Sequence, residues 1–60
     1  MAQWNLEPDG GVSWRHWLVR RSADGLWEVL RHHVHELWAE DRGTACRMAH
    51  VLVELERTRR

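Results

Sequence analysis

Two Asp-Gly steps, Asp9-Gly10 and Asp24-Gly25, divide the first half of this chain. The first lies in Glu7-Pro8-Asp9-Gly10-Gly11 and the second ends Ser22-Ala23-Asp24-Gly25. Pro presets a turn φ, Asp bonds nearby backbone and Gly accepts positive φ, so each run reads as a tight reversal. Asp-Gly between apolar segments is a strong local hairpin signal. The separated segments, about 3–7, 12–21 and 26–31, are therefore expected to be antiparallel strands. With alternating side chains, Trp4, Leu6, Trp17, Val19, Trp27 and Val29 form one inner face. Trp14, Leu18, Leu26 and Leu30 fall on the other.

Residues 42–57 read as an amphipathic helix with Asp41 or Thr44 as N-cap. Its expected buried stripe is Thr44, Ala45, Met48, Val51, Leu52 and Leu55, with Cys46, Ala49, His50, Val53 and Arg57 opposite. Residues 26–41 fit two patterns. One is a strand at 26–31, a turn at His32-His33-Val34 and a candidate fourth strand at 35–40. The other is a helical stripe of Leu26, Leu30, Val34, Leu37 and Trp38, which makes a β-hairpin followed by a two-helix hairpin. Trp and Val content together with the Asp-Gly turn favours the strands. The expected fold is α+β, a single domain over residues 1–60. It has a three- or four-stranded antiparallel meander and one C-terminal helix packed on it.

Composition narrows the function. Five Trp, seven Leu and six Val in 60 residues supply a core, so disorder is not expected. One Cys cannot form an internal disulfide, and a domain this small has no other staple. Nine Arg, no Lys and nine acids give zero formal charge, which argues against a general nucleic-acid binder. The all-Arg usage points to a high-GC genome. No apolar run reaches membrane-spanning length and no basic segment leads into an apolar stretch, so a cytoplasmic protein without membrane contact is expected.

Few residues are arranged for chemistry. Glu40 with Asp41, and Glu54 with Glu56, are sequence neighbours that do not face each other on a helix, so they read as solvated charge. Ser13 near His16 is a coincidence of spacing. No enzyme and no cofactor is expected. His33 and His35 share a strand face and Cys46 and His50 a helix face, which makes these four the candidate zinc ligands, and they must converge to act.

The run Trp17-Leu18-Val19-Arg20-Arg21, then Asp24-Gly25-Leu26-Trp27-Glu28-Val29, then Leu37-Trp38-Ala39 and a helix through Thr44-Ala45 and Ala49 resembles a known pattern. Small β-meander-plus-helix proteins of high-GC bacteria and their phages share it. So, more distantly, do the arm-binding N-terminal domains of tyrosine integrases. The resemblance spans residues 14–56 and implies a phage or mobile-element origin. In the integrase-type domains the sheet enters the DNA major groove and Arg and Lys read it. The residues here suited to phosphate or groove contact are Arg15, Arg20, Arg21, Arg57, Arg59 and Arg60.

Apolar residues on both sheet faces exceed what one helix can cover. Exposed apolar patches mark protein interfaces, with Trp and Arg as typical anchors. The leading expectation is thus a small non-enzymatic protein-binding module. It would be homodimeric, or bound to a host protein, through Trp14, Leu18, Leu26, Leu30 and Trp38. A sheet-based DNA-binding accessory protein and a small zinc-binding regulator are the alternatives.

Overall fold

A computed structural model describes residues 3–59. The chain forms five strands and a helix: β1 (Asn5–Leu6), β2 (Val12–Trp14), β3 (Trp17–Arg21), β4 (Trp27–Arg31), β5 (Val34–Ala39) and α1 (Arg42–Thr58). The strands make one antiparallel sheet in the order β1-β2-β3-β4-β5, an uninterrupted meander. The α+β class expected from the sequence is the observed one, and Trp27–Arg31 and Val34–Ala39 are strands joined by a turn rather than the first arm of a helical hairpin.

Both Asp-Gly turns form as expected, with Gly10 at φ 90° and Gly25 at φ 89°. The Asp9 carboxylate accepts from the Gly11 amide at 2.9 Å. The Ser22 amide closes the second turn onto the Leu26 carbonyl at 2.7 Å.

One expected strand divides. Val12–Arg21 is not continuous but reverses at Arg15-His16, where Arg15 takes φ 55°. The fold thereby gains a hairpin, and Trp14 pairs directly with Trp17. This reversal places Trp14 on the same sheet face as Trp17 rather than with Leu18. A matching turn joins β4 to β5 at His32-His33, with φ of 53° and 65°. The two turns abut at one end of the sheet: the His32 amide donates to the His16 carbonyl at 2.8 Å, and the two imidazoles stack at 4.3 Å.

The helix packs across β3, β4 and β5 on one face of the sheet. Asp41 caps it, accepting from the Thr44 amide at 2.7 Å, and that hydrogen bond, with a second from the Thr44 hydroxyl, holds the Asp41 carboxyl below its ordinary pKa. Arg42 Nε donates to the Gly10 carbonyl at 2.8 Å and ties the helix start to the first turn.

The helix is rotated relative to the expected stripe. Ala45, Ala49 and Val53 are buried, while Met48, Val51 and Leu55 are exposed. Small side chains let the helix axis approach the sheet closely, and a Met or Leu on that face would hold it off. The core is Val12, Trp17, Val19, Val29, Ala39, Ala45, Ala49 and Val53, with Trp4, Trp14, Trp27, Leu37, Cys46 and Leu52 packed around it. Leu6, expected in the inner face, is 74% exposed on the two-residue edge strand β1, beyond the elements the helix covers.

Glu56 fastens the far end of the helix. It lies in the last turns, where the helix dipole disfavours a negative charge. Three groups compensate: His16 Nε2 lies 2.8 Å from its Oε1, Trp17 Nε1 donates to the same oxygen at 3.4 Å, and Arg31 Nη1 donates to Oε2 at 3.3 Å. Desolvation pushes the Glu56 carboxyl up, but these partners outweigh it and hold it below its ordinary value.

Candidate interaction surfaces

Among the described residues, no element packs on the sheet face opposite the helix. Strand alternation and register place Ser13, Leu18, Arg20, Glu28, Leu30, His35 and Trp38 there. Glu28 is its centre, a carboxylate only 6% exposed. Arg20, directly across the β3–β4 ladder, donates from Nε to Glu28 Oε1 at 2.7 Å. His35 Nδ1 lies 2.9 Å from Oε2. Burial raises the Glu28 pKa, and the hydrogen bonds and charges of Arg20 and His35 lower it by more, so the carboxyl sits below its ordinary value. Trp38, opposite Glu28 on β5, packs its ring 4.5 Å from the His35 ring and remains 50% exposed. A bulge between Val29/Leu30 and their β5 partners brings His35 opposite Leu30 and so within reach of Glu28.

This surface gathers part of the expected protein-binding set. Trp38 stands exposed on it and Leu18 is half-buried in it. Leu30 is on the same face but only 5% exposed, so it is a floor residue and not a contact residue. Trp14 lies on the helix side, 6.2 Å from Trp4, because the Arg15-His16 turn reverses the strand. Leu26 precedes β4 and is half-buried beside the second turn.

The candidate nucleic-acid residues do not share a surface. Arg20 is ion-paired to Glu28 on the open face. Arg21 pairs with Trp27 and so faces the helix side. Arg15 lies over the Trp14 ring at 5.0 Å. Arg57 is bonded to Glu54 at 3.3 Å and Arg59 is the helix C-cap. Arg60 lies outside the described residues.

The four candidate zinc ligands are likewise apart. His35 is on the open face, His33 is in the β4–β5 turn, and Cys46 and His50 are on the helix against the opposite face. No group of three or more metal-ligating side chains occurs among the described residues.

Two features escaped the sequence reading. The helix covers only β3 to β5, which leaves a groove of about 520 Å³ beside it, lined by Trp4, Val12 and Val19 and by Cys46, Arg47, Ala49, His50 and Val51 of the helix. On the outer side of the helix, Met48, Val51 and Leu55 are 44%, 53% and 50% exposed. The i, i+3, i+7 spacing was visible; which of two candidate helix faces met the sheet was not.

No family model, curated protein or solved structure matches this chain. No helix among the described residues is long and apolar enough to cross a membrane.

Proposed function

We propose that the chain is a small, non-enzymatic protein-binding module that presents its open sheet face to a partner protein and works as a homodimer. The observation that carries this reading is Trp38. Its ring is half-exposed, yet it is braced by His35 and stands beside the Arg20–Glu28 pair. A rigid aromatic next to an oriented Arg, over a floor of Leu18 and Leu30, has the composition of an interface hot spot. Little ordering entropy is lost on binding, because the network already fixes these side chains. Duplex DNA contact has less support: Arg20 is neutralised, Arg15 is engaged with Trp14 and Arg21 faces the other way.

The test is a photoreactive side chain at position 38, with one at Ala23 in the distant turn as control. A partner captured at 38 alone is then purified and titrated against the chain. Trp38→Ala is expected to weaken binding about tenfold or more with the circular dichroism spectrum unchanged. Binding that ignores Trp38→Ala, or salt-dependent binding to duplex DNA in its place, rejects the proposal.

A further inference from the structure

The exposed side of α1 has the pattern of a helix-pairing seam. Thr44, Met48, Val51, Leu55 and Thr58 recur at alternating spacings of four and three, the period of a two-helix interface. At about 100° per residue the centre of this seam lies roughly a third of a turn or more from the centre of the Ala45, Ala49 and Val53 stripe that meets the sheet. Val51, at the middle of the seam, also borders the groove together with Arg47, while Met48 and Leu55 stand exposed along the helix.

The residues flanking the seam say what covers it. On the flank away from the sheet stand Arg47 and Glu54, both exposed and seven residues apart. They share one azimuth and carry opposite charge, and Glu54, which bonds Arg57 within its own helix at 3.3 Å, exchanges that exposed pair for the partner's Arg47 on docking. On the other flank are Ala45 and Leu52, which already pack toward the sheet. When two such helices pair antiparallel about Val51, flank meets like flank. Arg47 of each copy then faces Glu54 of the other, and Met48 faces Leu55. A parallel pair would instead set the charged flank against the partner's Ala45 and Leu52, which carry no charge to match it. The surface is thus complementary to itself in one orientation, as a two-fold contact requires.

We propose that a second copy of this chain docks on the Met48–Val51–Leu55 seam, helix against antiparallel helix, with reciprocal Arg47–Glu54 pairs across the two-fold axis. This rests on the homodimer of the functional reading and supplies its interface. A 17-residue helix is about 25 Å long, so the contact is at the small end of specific interfaces and the dimer is a reversible one. Both open sheet faces stay uncovered in it.

Sedimentation equilibrium of the full chain, from micromolar to millimolar concentration, reads the association. The expected mass rises from 7.2 kDa toward twice that value. Arg47→Glu and Glu54→Arg are each expected to weaken self-association about tenfold, by setting like charges opposite. Mixing the two single variants restores a heterodimer, and the charge-swapped double variant restores the homodimer. Trp38→Ala leaves the mass unchanged, so failure of partner capture at position 38 and failure of this dimer are separate results. A monomer at every concentration overturns the proposal. So does a dimer indifferent to both charge reversals, which would mean pairing through another surface such as the β5 edge.

Discussion

Arg20 and Glu28 stand directly opposite each other on β3 and β4, and Arg20 Nε donates to Glu28 Oε1 at 2.7 Å on a sheet face that no described element covers. The pair is unequal: the Arg20 side chain is half-exposed, whereas that of Glu28 is only 8% exposed. Removing Arg20 leaves a buried carboxylate with His35 alone. Removing Glu28 leaves an arginine that water can solvate. Arg20→Ala is therefore expected to destabilise the fold by about 1–3 kcal/mol, and Glu28→Leu by less. Urea unfolding followed by Trp fluorescence compares the two; a larger loss for Glu28→Leu would contradict this account.

Glu28 and Glu56 give the fold an acid limit. Both carboxyls lie below their ordinary value of 4.5 in the folded chain. The unfolded state then binds more protons below that value, so stability from these groups is complete above pH 4.5 and is lost as pH falls through the lowered folded values. The urea midpoint should fall on acidification below about pH 4.5. Glu28→Gln should lower the midpoint at neutral pH and make the acid fall shallower. An equally steep fall in Glu28→Gln would remove Glu28 from this role.

The adjacent glycines of the first turn are not equivalent. A Cβ on Gly11 would overlap the Val19 carbonyl oxygen, whereas one on Gly10 would meet nothing within 4 Å but would sit at φ 90°. Gly11→Ala is expected to cost roughly 3 kcal/mol, because backbone must move. Gly10→Ala should cost roughly 1 kcal/mol, the penalty of left-handed backbone. Thermal denaturation of the two variants ranks them, and the reverse order would show that β2 does not approach β3 this closely.

The rotation of α1 has its own test. Ala49→Leu puts bulk where the helix touches the sheet and should destabilise by about 1–3 kcal/mol. Val51→Leu, on the exposed side, should change stability by less than about 0.5 kcal/mol. If Val51→Leu proved the more damaging, the helix would face the sheet with its other side.

The contrast between these two helix faces shows where sequence reading succeeded and where it ran out. Turns marked by Asp-Gly were legible because only a few residues accept that backbone. The turn at His32-His33 was placed only by the strand patterns on either side of it, and the turn at Arg15-His16 was not legible, since positive φ is uncommon for a residue such as Arg. They are held by tertiary partners instead, the stacked His16 and His32 rings and the Glu56 clasp. The helix itself was legible from its cap and apolar content. Its orientation was not, because large apolar residues suggested the buried side while close packing selected the small ones. Trp38 was recognisable as an exposed Trp, but the Arg20–Glu28–His35 network beneath it was not. That network needs the β4–β5 register, which a bulge shifts by one residue.

The bulge has a second effect. β5 is the long free edge of the sheet and carries exposed Val34 and Trp38. A regular six-residue edge of that kind is a template on which further chains can add strand by strand into fibrils. The irregularity interrupts the row of free amides and carbonyls at mid-strand, where Glu36 also brings a charge. The same one-residue insertion that brings His35 to Glu28 thus works as a gatekeeper that makes the edge a poor template for open-ended strand addition.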